Sequence, residues 1–347
     1  MNFGLFSMGE HHGRVPRDAY AEDLEEIVLA EQLGWDEAWI GEHHMNGRQE
    51  VLPSPEMLIA KAAARTSRIR MGPGVRLIAL HYPPEVAAEA ATADHLTDGR
   101  YMFGFGTGGG QEYGFYNIDF AEGHDRVEES IDVILKAWSS DEPFSHHGRF
   151  WHIEDVYIWP RPLQSPLPVA RACGNAESCY STGRRGFSLL TSQFQSASAI
   201  AASWAEYERG ARDAGRTPSR NSLEVSRFLW VDETDKIAAD RVRAYQNHWL
   251  DYVRRLPSVA RLIDPFKPSP EADRTSVTFD RMLEVGQYIV GSPDTVIDGL
   301  RRLWAESGGF GRLLLLGGRD PAPINERLAM YERLAREVAP ALADMSF

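Results

Sequence analysis

"DEAWIGEHH", residues 36–44, reads as one buried β-strand that runs into a carboxylate and two imidazoles. Its apolar centre, Ala38-Trp39-Ile40, is too short for a helix and stops at a glycine, as strands of a parallel sheet do. Before it, Tyr20, Leu24, Ile27 and Val28 recur at helical spacing until Gly34 ends the run, and FGLFSM (3–8) supplies an earlier strand. After it come a helix from about Ser54 to Thr66 and the strand RIRMGPGVRLI (68–78). A helix opened by Pro83-Pro84 and closed by Gly99 then leads to the strand YMFGFG (101–106). Strand and helix in strict alternation imply parallel strands joined by right-handed crossovers.

Four further strands follow with helices between them: PLPVARACG (166–174), FSLL (187–190), LEVSRFLWVD (223–232) and RLLLLGG (312–318). Eight such units in 347 residues favour an α/β chain folded as a closed (β/α)8 TIM barrel. That fold takes about 250 residues and leaves roughly 100 for insertions; an open doubly wound sheet is the alternative. We read 1–347 as a single domain with insertions after strand 4, near 142–160, and before strand 8, near 245–285. The first looks like a β-hairpin around a His-Gly turn. The second, with Pro257, Pro265, Pro268 and Pro270, reads as an excursion over the barrel mouth.

Lys and Arg number 37 against 50 Asp and Glu, a net charge of -13 that repels polyphosphate backbones and anionic lipid, so neither nucleic acid nor membrane is an expected partner. The start, MNFGLFSMGEHH, lacks a basic signal region, and no apolar run reaches the ~18 residues of a membrane span; a cytoplasmic protein is expected. Cys173 and Cys179 are too few for a disulfide framework and match no zinc spacing, which leaves buried thiols.

In a barrel of this kind chemistry sits at the C-terminal ends of the strands. Histidines gather there: His11 and His12 after the first strand, His43 and His44 behind Glu42 after the second, and His81 beside Tyr82 after the third. Neighbours on a strand face opposite sides, so one member of each pair can enter a common site; the His-x-His of a metallohydrolase barrel is absent, and no metal is expected. GFGTGG (104–109) formally fits G-x-G-x-x-G, but neither an immediate helix nor the acidic residue of a dinucleotide site follows. Its glycines suit close approach of a planar ligand. GNAESCYSTGRRG (174–186) starts a helix whose open N–H groups suit a phosphate or a plain N-cap. MGPGVRL (71–77) puts glycine and proline inside a central strand, which calls for a bulge, an unusual peptide or a close ligand.

Together the E-H-H, "RIRMGPGVRLIALHYP", "ADHLTDGRYMFGFGTG", "GNAES" and "GSPDTVIDGLRRL" followed by "GGFGRLLLLGG" resemble the bacterial luciferase-like flavin monooxygenases, nearest the limonene-monooxygenase-like branch. The resemblance runs in order along nearly the whole chain. It implies an FMNH2-dependent monooxygenase. Reduced FMN from a separate flavin reductase would react with O2 to a flavin C4a-(hydro)peroxide and oxygenate a small, largely apolar substrate. It maps the flavin ring onto Gly74 and Val75, joined by a cis peptide, and onto Gly106 and Thr107; the phosphate falls on Asn175, Glu177, Ser178 and Ser181. His43 would hydrogen-bond or protonate the peroxide, with His44 in support, and Phe6, His11, Tyr82 and Tyr113 would line the substrate pocket. Light-emitting members carry cysteine at the position of Gly106 and arginine at that of Thr107, so light emission is not expected. Pairing as a homodimer is a further implication. Two other readings stay open: an F420-dependent oxidoreductase, whose members generally lack E-H-H, and a flavin-binding protein without catalysis.

Overall fold

Short strands apolar on both faces can be buried only in a sheet covered by helices, and the computed structural model, which describes residues 1–9, 14–44, 51–256, 260–317 and 322–345, has that arrangement. His11 lies outside the described residues. The chain runs β1 (Asn2–Ser7), α1 (Pro16–Gln32), β2 (Glu37–Ile40), α2 (Pro55–Ala63), β3 (Arg70–Pro73), α3 (Pro83–Leu96) and β4 (Phe103–Phe105). Next come α4 (Gly110–Phe115), α5 (Gly123–Ser139), the hairpin β5 (Phe144–His147) and β6 (His152–Val156), β7 (Val169–Ala172), α6 (Ala176–Arg185), β8 (Ser188–Leu190) and α7 (Ala197–Asp213). Then follow β9 (Leu223–Val231), α8 (Asp235–Arg255), α9 (Phe279–Glu284), β10 (Tyr288–Gly291), α10 (Pro293–Ser307), β11 (Arg312–Gly317) and α11 (Ile324–Arg333).

Parallel pairing follows the order β3-β2-β1-β11-β9-β8-β7-β4, and bridges from Met71 to Tyr101 and from Arg76 to Phe105 join the two ends. The barrel is therefore closed, and the open-sheet alternative falls. All eight expected strands take part. A ninth, β10, pairs with Phe228–Val231 of β9 while β11 takes Glu224–Arg227, so the long β9 serves two neighbours. Four apolar residues directly ahead of a proline-opened helix give too little periodicity to announce that strand.

The hairpin stands where the first insertion was expected and packs on α5: Glu129 accepts the N–H groups of Phe150 (3.1 Å) and Trp151 (2.9 Å). The second insertion is tied to α8. Arg254 Nε donates to the carbonyl of Arg274 (3.0 Å), and the Phe279 N–H donates to Asn247 Oδ1 (2.9 Å). Ile263, Phe266, Val277 and Phe279 are buried, and covering their apolar surface favours this packing.

Inside the barrel Trp39 packs with Met102, Ala170, Leu190 and Leu314, and Phe6, Val75 and Ala172 close over them. The glycines of MGPGVRL and GFGTGG make room for this layer. A Cβ on Gly104 would stand 2.1 Å from the Pro73 carbonyl oxygen and 2.6 Å from the Trp39 ring, and one on Gly72 would stand 2.3 Å from the Met102 oxygen. The Gly74-Val75 peptide is cis, as the resemblance implied. Among the described residues no helix is long and apolar enough to cross a membrane.

Candidate active site

Alternation along β2 sorts the residues that follow it. Glu37 and Trp39 face the barrel interior, and the same parity carries Gly41 and His43 to the mouth, while Glu42 and His44 turn outward toward the loop after β3. A Cβ on Gly41 would lie 3.4 Å from His43 Nε2 and 3.3 Å from the Ser7 carbonyl oxygen, so this imidazole stands over the ends of β1 and β2. Its backbone N–H donates to the Leu52 carbonyl (2.9 Å), and its side chain keeps 23% exposure.

On the outward side, the buried Glu42 gathers two loops. Its Oε1 lies 2.5 Å from Nε2 of both His44 and His81; its Oε2 accepts the Leu77 N–H (2.9 Å) and sits 3.2 Å from Arg76 Nη1. Arg76 reaches on to Glu89 (2.7 Å), and Tyr116 brings its hydroxyl to 3.5 Å from His44 Nδ1. Burial pushes the Glu42 carboxyl up, but the bonds from His44 and His81 and the Arg76 charge outweigh it and hold the group well below the usual carboxylate range. Burial likewise disfavours charged Arg76, and Glu56, Glu42 and Glu89 more than restore it. Glu42, His44 and His81 have the spacing of a metal-ligand group, with ligand atoms within 4.8 Å of one another. Here the cation beside the carboxylate is Arg76.

The two histidines of E-H-H are thus separated as expected: His43 at the mouth and His44 locked behind the strand. His81, rather than its neighbour Tyr82, turns into the cluster. Tyr82 is 39% exposed and meets Trp151 edge-on at 6.0 Å, at the start of α3. Glu112, which the sequence reading passed over, is buried between the loops; its one sequence signal is its position three residues after Gly109, as in a capping box.

A patch of the barrel wall above Trp39 is built from Phe6, Gly74, Val75 and Gly106. A Cβ on Gly106 would meet Val75 at 2.8 Å, and one on Gly74 would meet the Phe6 ring at 2.9 Å. Thr107 adjoins this patch and accepts the Tyr113 hydroxyl on its carbonyl (2.8 Å). Tyr113 itself is 1% exposed and packs against Phe120, so it braces the loop and does not line the pocket; its ring is more stable covered than wet.

Farther round the rim, Asn175 caps α6, its side chain accepting the Ser178 N–H (2.8 Å) while Ser178 Oγ donates to the Asn175 carbonyl (3.0 Å). Ser178 is buried with both groups bonded, which removes it from the open donors. The N–H groups of Ala176 and Glu177 have no partner among the described residues, and a Cβ on Gly174 would face open space. Next to them lies a cavity of about 530 Å³ lined by His124, Glu128, Glu177, Tyr180, Ser181, Arg184 and Arg185. Ser181 Oγ donates to Glu128 (3.2 Å); burial raises that carboxyl, but Arg171 and Arg185 bring it below its ordinary value.

Comparison with known proteins places the chain in a family. The family model described as luciferase-like monooxygenase matches residues 1–310. The 4-hydroxyprotoasukamycin monooxygenase of Streptomyces nodosus subsp. asukaensis is 32% identical, over 98% of this chain and 92% of that protein. The limonene 1,2-monooxygenase of Rhodococcus erythropolis is 30% identical, over 98% and 86%. Among solved structures, the oxygenating constituent of 3,6-diketocamphane monooxygenase from Pseudomonas putida, a type II Baeyer-Villiger monooxygenase in complex with FMN, superposes with a TM-score of 0.85 at 26% identity over 98% of each chain. By sequence and fold, the chain belongs to the luciferase-like monooxygenase family.

Proposed function

We propose that the protein is the oxygenase component of a two-component system, using reduced FMN from a separate flavin reductase and O2 to oxygenate a small, largely apolar organic molecule. The observation that carries the reading is one rim that sets His43, a wall free of bulky side chains (Gly74, Gly106) and an open helix start at Gly174–Glu177 around the same mouth. The donor set fits FMN. Phe6 and Val75 offer an apolar face to a planar ring, while the Ala176 and Glu177 N–H groups and the nearby His124 offer donors, and Arg184 and Arg185 positive charge, to a phosphate; the Ser181 hydroxyl already donates to Glu128. Bound reduced FMN would supply the two electrons that send one oxygen atom of O2 into product and the other to water. The chain's own part is to hold the ligands, keep water from the wall above Trp39, and hold or deliver a proton at His43 Nε2. Apolar substrates are supported by the names of relatives that act on limonene and diketocamphane.

The test is to give the purified protein reduced FMN and isotopically labelled O2 with a panel of terpenes and cyclic ketones, and to look for the label in product. His43→Ala should keep FMN binding and lose product formation about 10²- to 10⁴-fold. A protein that leaves every substrate unlabelled, yet oxidises or reduces F420 with an alcohol or ketone, is the F420-dependent enzyme. One that binds FMN and turns over neither is a flavin carrier. The proposal also places it in the cytoplasm as a homodimer, which fractionation and sedimentation check.

A further inference from the structure

We infer that Glu112 is the positioning residue for His43, fixing which ring nitrogen faces the barrel mouth; this rests on the role proposed for His43. Glu112 is 1% exposed, below the loop after β4. Its Oε2 accepts the Gly109 N–H (3.2 Å) and closes the first turn of α4; its Oε1 accepts the His44 N–H (3.2 Å) and stands 3.5 Å from His43 Nδ1. One buried carboxylate therefore ties the loop after β4 to both histidines of the loop after β2. The contact with Nδ1 is of ion-pair length, and a small rotation of the ring makes it a hydrogen bond.

An imidazole that turns Nδ1 to a buried carboxylate keeps its hydrogen there, which leaves the exchangeable position on Nε2. Nε2 is the nitrogen on the mouth side, near the ends of β1 and β2. The Glu112 charge also favours the imidazolium once a proton has moved to Nε2, without any displacement of the ring. Among the described residues, Glu42 and Arg76 with His44 and His81 face the far side of β2 and bond to one another. Glu112 thus stands to His43 as Glu42 stands to His44, one carboxylate behind each imidazole.

Glu112→Gln is the informative variant: it loses the charge, and its single amide oxygen keeps one of the two backbone N–H bonds, from Gly109 or from His44, while its NH2 faces the other. Coupled product formation should fall about 10- to 100-fold with the KM for reduced FMN little changed, and the melting temperature should fall only as far as one lost backbone bond requires. Glu112→Asp should restore part of the rate. In the protein without cofactor, nitrogen NMR of labelled histidine should find His43 as the Nδ1–H tautomer, and a mixture of tautomers in Glu112→Gln. Added to His43→Ala, Glu112→Gln should cost nothing further, since it acts through that ring. Wild-type coupling in Glu112→Gln, or an equal loss with and without His43, overturns the inference. Should His43→Ala itself make product normally, the proposed function loses its proton carrier. The tautomer then decides this inference alone, and an unchanged His43 tautomer in Glu112→Gln refutes it.

Discussion

The two ends of the barrel each bury a glutamate beside an arginine, and the two carboxyls move in opposite directions. At the N-terminal end, Trp39 Nε1 donates to Glu37 (3.1 Å) and Glu224 (3.0 Å), and Arg312 Nη1 lies 3.0 Å from Glu37 and 3.5 Å from Glu224, beside a cavity of about 380 Å³. Burial and then the Glu37 charge push the Glu224 carboxyl well up. At the rim, Glu42 is equally buried but draws on His44, His81, the Leu77 N–H and Arg76, which it shares with Glu56 and Glu89, and is pushed down. Burial has the same sign at both sites; the number of donors per carboxylate decides the outcome. At the rim that number favours an anion among histidines, whereas at the N-terminal end Glu37 and Glu224 share Arg312 and the Trp39 indole, Arg70 reaches only Glu37, and the Glu224 carboxyl is pushed up.

The largest expected effect breaks the rim. Glu42→Ala takes the shared carboxylate from His44, His81 and the Leu77 N–H and leaves buried Arg76 with Glu89 and Glu56 alone; it should cost about 3–5 kcal/mol, read as a fall in denaturant midpoint. A cost below about 1 kcal/mol means the cluster does not hold the loops. Because the folded carboxyl sits below its ordinary value of about 4.3, its contribution is present above that pH and lost as pH falls through the folded value. The gap between wild type and variant should therefore narrow in acid.

Glu224→Gln probes the other end with the opposite sign. A carboxyl raised in the folded state favours folding only below about pH 4.3 and opposes it increasingly as pH rises toward the folded value. The glutamine, neutral throughout, should raise the melting temperature at about pH 8, by roughly 2 °C for each kcal/mol relieved, and the gain should vanish near pH 4. A variant less stable at pH 8 would show that Glu224 is ionised in the fold. A smaller effect is expected for Trp39→Phe, which keeps the ring of the barrel layer but loses its N–H bonds, at about 1–2 kcal/mol. Combined with Glu224→Gln it should cost less than the sum if the two share that contact. Least of all, Tyr116→Phe removes a 3.5 Å contact with His44 and should stay within about 0.5 kcal/mol.

Much of this molecule was legible in one dimension because its signals are local. Strand and helix alternate with periods of two and 3.6, prolines open α2, α3 and α10, and glycine ends α6 and α10, so the eight barrel strands and the hairpin could be placed from the chain alone. Alternation also split His43 from His44 without any structure. What the chain could not disclose are facts of approach between distant segments. Gly72 and Gly104 read as ligand-facing glycines, and folding shows them making room for Trp39 and for neighbouring strands. Ser178 and Tyr113 carry the right polar atoms for a site, yet local bonds to Asn175 and Thr107 occupy them. Sequence determined which residues stand on the C-terminal rim, since parity along a strand is fixed by the backbone. Only the tertiary structure decided which carboxylate stands behind which histidine, because Glu112 reaches His43 across 69 positions of chain, and no local periodicity encodes that meeting.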